Sequence, residues 1–213
     1  MQVDEKCQKT LLMQREHFLS KFKFWSANRE EALSASKSDE LNAEELEDVR
    51  IVSTFPAEEL QKLYKRFLLL GTNEDGYIEA HHLSKFPEFG LNPLSSRLLT
   101  VLESSFENPE KVSFKDFVKA TNPFSTRART DDKLKLAFKI YDVDNDGKIG
   151  RSDLTHILEL QLGVGQCDEA EIREIVEYCV TEIDIDGDGF MSYEDFTRTV
   201  GTSDIKAKLT FDL

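Results

Sequence analysis

Aspartates recur at alternate positions in two acidic stretches near the C-terminus: Asp142, Asp144 and Asp146, then Asp184, Asp186 and Asp188. Three carboxylates crowded this way repel one another unless a cation neutralises them, and hard divalent cations take oxygen ligands. One residue beyond each triplet stands a glycine, Gly147 or Gly189, free to take the left-handed turn that a Cβ resists. Lys148 and Phe190 come next, each placed to offer a backbone carbonyl. Asp153 and Asp195 stand twelfth counting from Asp142 and Asp184, where a carboxylate closes the shell, and Ser192 is placed to hold a bridging water.

This is the twelve-residue loop of the EF-hand, present twice. Forty-two residues separate the two first positions, room for a following helix, a short linker and the next leading helix. The loops are therefore expected to pair, with Ile149 and Met191 at the eighth positions meeting in a short antiparallel bridge. Both loops close with Asp where Glu usually reaches in with two oxygens. Asp is one methylene shorter, so one-oxygen closure and a more hydrated shell are expected. Calcium affinity then falls and octahedral magnesium competes.

Helices must hold these loops. Leu134, Phe138 and Tyr141 recur at helical spacing before the first loop, and Leu154, Ile157, Leu158 and Leu162 follow it. Ile172, Ile175, Val176, Cys179, Val180 and Ile183 make an apolar stripe before the second, and Asp168 with Glu171 reads as a capping box at its start.

Upstream lies a fainter echo of the same unit. Leu60, Leu63, Tyr64, Phe67 and Leu68 form a helical stripe running into residues 71–82, where Asn73, Asp75, Gly76 and Ile78 keep the turn. Gly71 brings no ligand to the first position and His82 replaces the closing carboxylate, so metal binding is not expected there. His81 and His82 diverge on a helix, without an evident third ligand. A fourth loop is more eroded: Leu98, Leu99, Val101 and Leu102 precede it, Pro109 and the missing glycine spoil the chelating turn, and Val112, Phe114 and Phe117 resemble its end. Val112 is still expected to bridge to Ile78.

The expected fold is all-α: two lobes, each an EF-hand pair, with short two-stranded bridges between paired loops. The division reads as an N-terminal extension over 1–52, a degenerate lobe over 53–125, a linker over 126–131, a metal-binding lobe over 132–200 and a tail over 201–213. In the extension, Cys7, Leu11, Phe18, Phe22 and Trp25 share one helical face, followed by a polar stretch rich in Ser and Glu. The segment around 121–132 reads as a solvated connector carrying Arg127 and Arg129.

Lys and Arg total 27 against 41 Asp and Glu, a formal charge of −14 that disfavours nucleic acid and favours cations or a basic helix. Cys7, Cys167 and Cys179 are scattered outside any CxxC pattern, which points to a reduced compartment, and no apolar run can cross a bilayer; a cytoplasmic protein is expected. No nucleophile and base stand in a recognisable motif, so catalysis is not expected. Only three Met occur, whereas promiscuous sensors line their grooves with that residue. Leu, Ile and Phe make stiffer walls, suited to one dedicated partner.

The segments LQKLYKRFLLL, FGLNPLSSRLLTVL, KLKLAFKIYDVDNDGKIG and VGTSDIKAKLTFDL, in order across residues 53 to 213, resemble the calcineurin B family. The resemblance implies four EF-hands, two per lobe, wrapped around an amphipathic helix of a partner such as a phosphatase catalytic subunit. Related calcineurin B homologous proteins imply an ion exchanger instead, and a kinase is a further candidate. Only the loops at Asp142 and Asp184 keep the family's chelating pattern, and Gln2 excludes N-myristoylation. Before partner binding a monomer is expected. A cation buffer and a constitutive, magnesium-filled scaffold are the competing readings.

Overall fold

The computed structural model describes residues 40–86, 93–163 and 168–199. Helices α1 (Ala43–Ile51), α2 (Ala57–Leu69), α3 (Ser95–Glu103) and α4 (Phe114–Thr121) precede α5 (Thr130–Tyr141), α6 (Arg151–Leu162), α7 (Glu169–Ile183) and α8 (Tyr193–Thr199). Short 3-10 segments cover Ala80–Lys85 and Asn122–Phe124. Among the described residues the β pairing consists of two isolated antiparallel bridges, Ile78 with Val112 and Ile149 with Met191, so the fold is all-α with the short bridges expected. The amphipathic helix read near the N-terminus and the tail from 201 onward lie outside the described residues.

Residues 40–129 and 130–199 fall into two compact units. In the first, α2 turns Leu60, Leu63 and Phe67 into the core. There Phe67 packs against Phe114 and Phe117, rings 5.4 and 5.5 Å apart between centroids. Val112 and Ile78, both almost fully buried, exchange backbone hydrogen bonds of 2.8 and 3.0 Å. Ala80 N also donates to Pro109 O at 2.7 Å, so backbone hydrogen bonds join the two loops of this unit.

Two segments read as polar or solvated are more ordered than their composition implied. Residues 43–51 form α1, whose start is set by a reciprocal capping box between Asn42 and Glu45 and whose one buried anchor is Val49. Local capping nucleates this helix where no apolar stripe advertised it. In the connector, Phe124, Ser125 and Ala128 are buried. Asn122 Oδ1 accepts from Thr54 N at 2.7 Å and Thr54 Oγ1 at 3.0 Å, tying this segment to the stretch before α2.

The second unit packs α6 against α5 and α7, and α8 against α5 and α7. Leu134, Ala137, Phe138 and Ile140 of α5 are buried, as are Leu154, Ile157 and Leu158 of α6 and Ile172, Ile175, Val176 and Val180 of α7. Of the expected stripes, Tyr141, Leu162 and Cys179 are only half-buried. Phe138 meets Tyr193 and Phe196 edge to face, centroids 5.4 and 5.6 Å apart. Tyr193 also donates its hydroxyl to Asp131 Oδ1 at 2.9 Å, and burial with that carboxylate pushes the phenol up to about 12. The start of α7 departs from expectation. Asp168 accepts from Ala170 N at 3.3 Å, a one-sided cap without the reciprocal bond predicted from Glu171.

Candidate metal centre

The first acidic loop connects α5 to α6. Oxygen atoms of Asp142, Asp144 and Asp146 lie within 4.8 Å of one another, as do those of Asp184, Asp186 and Asp188 in the loop between α7 and α8. Among the described residues these are the two clusters of that kind. Backbone amides hold them in place. Asp142 Oδ1 accepts from Asp146 N at 3.1 Å and its Oδ2 from Gly147 N at 3.1 Å. Asp184 does the same work for its loop, accepting from Gly187 N, Asp188 N and Gly189 N at 2.8, 3.1 and 2.7 Å.

Each loop needs left-handed backbone at its fourth and sixth residues. Gly147 and Gly189 supply it at the sixth, with φ of 87° and 86°. At the fourth, Gly187 stands in one loop and Asn145, φ 59°, in the other; Asn is one of the few residues that tolerate this region. Lys148 and Phe190 follow the glycines, and both amides donate to the aspartate two residues back, at 2.8 and 2.9 Å.

Asp142 is buried while its two companions are exposed. Burial raises its carboxyl above the ordinary range, opposed by the bonds from Gly147 and Asp146 and reinforced by the charges of Asp146 and Asp153. A cation relieves that cost, because an opposite charge favours the ionised form.

The closing residues Asp153 and Asp195 are both 4% exposed, yet neither joins a carboxylate cluster. Asp153 Oδ1 accepts from Val143 N at 3.0 Å and Oδ2 from Gly150 N at 2.8 Å. Asp195 Oδ2 accepts from Ser192 N at 3.0 Å and from the Ser192 hydroxyl, which holds its carboxyl below the usual range. Ser192, a candidate to hold a bridging water, pairs with Asp195 at the start of α8. Both closing carboxylates therefore belong at once to a loop and to the first turn of the helix that follows.

The loops are joined at their centres. Ile149 N to Met191 O and Met191 N to Ile149 O are both 2.9 Å. Charges flank this bridge that the motif alone did not single out. Lys148 Nζ donates to Asp188 Oδ2 across the pair at 2.7 Å. Arg151 donates to both oxygens of Glu177 on α7, at 2.8 and 3.0 Å, and to Gly189 O at 3.1 Å. The available signal was opposite charge beside the bridging residues, since pairing at the eighth positions brings each loop's flanks near the other.

The loop after α2 is held in its turn by a side chain and by left-handed glycines. Asn73 Oδ1 accepts from Asp75 N and Tyr77 N at 3.1 and 2.9 Å, and Gly71 and Gly76 take φ of 93° and 82°. Lys85 Nζ donates to Leu70 O at 2.9 Å, putting an ammonium beside Gly71. The rings of His81 and His82 touch edge to face, centroids 4.4 Å apart, without joining a three-ligand group.

Residues 131–200 match the family model described as an EF-hand domain pair. The type 2 calcineurin B subunit of Dictyostelium discoideum is 36% identical over 168 residues, 79% of this chain and 90% of that protein. The calcineurin B subunit of Naegleria gruberi is 32% identical over 178 residues, 84% of this chain and 99% of the relative. Its namesake in Schizosaccharomyces pombe is 34% identical over 166 residues, 78% and 94%.

Proposed function

The chain belongs to the calcineurin B family of calcium-binding EF-hand regulatory proteins, and from that membership we propose that it is a non-catalytic regulatory subunit carrying two metal sites in its C-terminal unit. Asp142, Asp144, Asp146, the Lys148 carbonyl and Asp153 would hold one divalent cation. Asp184, Asp186, Asp188, the Phe190 carbonyl and Asp195 would hold the other. The donor set fits calcium, since it is all oxygen, anionic and arranged around glycines that permit the turn. A bound cation supplies the charge that lets three carboxylates converge.

The chain's own residues carry the consequence. Because Asp153 and Asp195 cap the first turns of α6 and α8 while closing their loops, a movement of either carboxylate moves a helix. The Ile149 to Met191 bridge makes the two loops one mechanical unit. The expected readout is an apolar groove for an amphipathic, basic helix of a partner, a phosphatase catalytic subunit in the first place, with an ion exchanger or kinase as the alternative. The charge of −14 supports a basic target. A monomer before partner binding and a cytoplasmic setting belong to the same reading; no helix among the described residues is long and apolar enough to cross a membrane.

What carries the proposal is the pairing of two three-carboxylate clusters through one backbone bridge. A pull-down from extract in calcium, magnesium and chelator, with mass spectrometry of the retained proteins, tests it. Calcium-dependent retention of a phosphatase catalytic subunit is expected. A partner equally well held in chelator would replace calcium regulation by constitutive scaffolding, the second reading, which the short closing aspartates outside the clusters favour.

A further inference from the structure

Lys148 occupies both loops at once. Its backbone is the seventh residue of the first loop, with its amide on Asp146 Oδ1 at 2.8 Å. Its ammonium reaches across to Asp188 Oδ2 at 2.7 Å, and Asp188 is the fifth residue of the second loop. The same ammonium stands 5.0 Å from the centre of the Phe190 ring, so the seventh residue of the second loop cradles it. Asp188 Oδ1 accepts from Phe190 N at 2.9 Å, leaving Oδ2 as the oxygen the lysine takes.

Resting on the reading of these loops as cation sites, we propose that Lys148 is a positioning residue for the second site: a tethered monovalent cation that competes with the incoming metal for Asp188 and thereby lowers that site's affinity. Two effects point the same way. The ammonium engages a ligand carboxylate, and its charge repels a divalent ion at the cluster of Asp184, Asp186 and Asp188. The first loop has no such competitor in its counterpart position, where Phe190 is apolar. The two paired loops are therefore unequal, with the second filling at the higher metal concentration for reasons separate from its own chelating residues. Since Lys148 also belongs to the first loop, rearrangement of that loop on loading moves the competitor of the second.

The test is a calcium titration of the full chain followed by the amide resonances of Gly147 and Gly189, one in each loop, for the unaltered protein, Lys148→Met and Lys148→Arg. Methionine keeps the stem and removes the charge. Lys148→Met is expected to lower the Gly189 midpoint about two- to fivefold relative to the Gly147 midpoint, the range an exposed ion pair carries. Lys148→Arg, which keeps a cation in reach of Asp188, should return the midpoint toward that of the unaltered chain, which a packing role for the stem would not do. An unchanged or raised Gly189 midpoint in Lys148→Met, or an arginine that behaves like methionine, overturns the inference while leaving the sites themselves standing. A Gly189 resonance insensitive to calcium in the unaltered chain removes the site and this inference together.

Discussion

Ile149 and Met191 face each other across the two acidic loops, and each backbone N–H donates to the other's carbonyl at 2.9 Å. Ile149 is completely buried and Met191 nearly so, so the bridge is shielded from water and the loops cannot shift independently at this point.

Truncating the side chain at that bridge should weaken both the fold and the coupling. Ile149→Ala is expected to cost about 2–5 kcal/mol, the usual loss for a fully buried isoleucine. Urea denaturation of the metal-free protein measures the stability. Calcium titrations of Asp142→Ala, alone and combined with Ile149→Ala, measure the coupling, expected to be smaller in the combined variant.

Gly147→Ala separates backbone strain from crowding. A Cβ there meets nothing within 4 Å, yet φ is 87°, so the penalty is conformational and about 1–2 kcal/mol. Gly150→Ala offers the contrast, since its Cβ would come within 3.2 Å of the Phe190 ring. The denaturation midpoint of Gly147→Ala should fall further than that of Gly150→Ala, whose extended backbone carries no such strain and whose Phe190 neighbour is 41% exposed and free to shift. Addition of calcium should recover less stability in Gly147→Ala than in the unaltered chain.

Lengthening the closing residues should shift metal preference. Asp153→Glu with Asp195→Glu lets each carboxylate reach further into its loop, which favours calcium's larger oxygen shell over magnesium. Calorimetric titration with calcium in millimolar magnesium is expected to show strong competition in the unaltered chain and weaker competition in the double variant. Calcium affinity in the unaltered chain that ignores magnesium would count against mixed occupancy.

The Arg151 to Glu177 pair gives a pH signature. The guanidinium hydrogen bond holds the Glu177 carboxyl below its ordinary range. A carboxyl depressed in the folded state contributes stability in full above its unfolded pKa, and the contribution disappears as pH falls through the depressed folded value. Both partners are exposed, so the effect is small. Urea midpoints of Arg151→Met and the unaltered protein, compared in the metal-free state, should differ at neutral pH and converge in acid.

The eroded loop should resist repair. Gly71→Asp restores a carboxylate at the first position, but φ there is 93° and the new side chain would meet Lys85 Nζ, 3.5 Å from its Cβ. The expected result is a less stable protein whose calorimetric calcium stoichiometry is unchanged, because the lysine neutralises the added charge and His82 still closes the loop.

Much of the arrangement was legible from residue types because its determinants are local. The alternating aspartates, the glycines at 147 and 189 and the apolar residues at 149 and 191 act within twelve-residue loops, and a left-handed turn or an oxygen cluster depends on near neighbours. The bridge between Ile78 and Val112 could be anticipated for the same reason, since its apolar positions outlived the chelating ones. Helix α1 was not legible, because one buried Val49 makes no stripe and the Asn42 to Glu45 cap sits in an otherwise polar run. Likewise the connector's Phe124 and Ala128 look solvent-bound in composition until the chain brings a core over them.

By itself, the order of residues determined the two acidic loops, the helices that flank them and their pairing, since each follows from spacing along one chain. Folding decided which charges meet across that pairing. Lys148 finds Asp188 forty residues away and Arg151 finds Glu177 and Gly189, contacts that exist only after two loops are set side by side, because charge attraction depends on distance in space and carries no imprint in sequence separation.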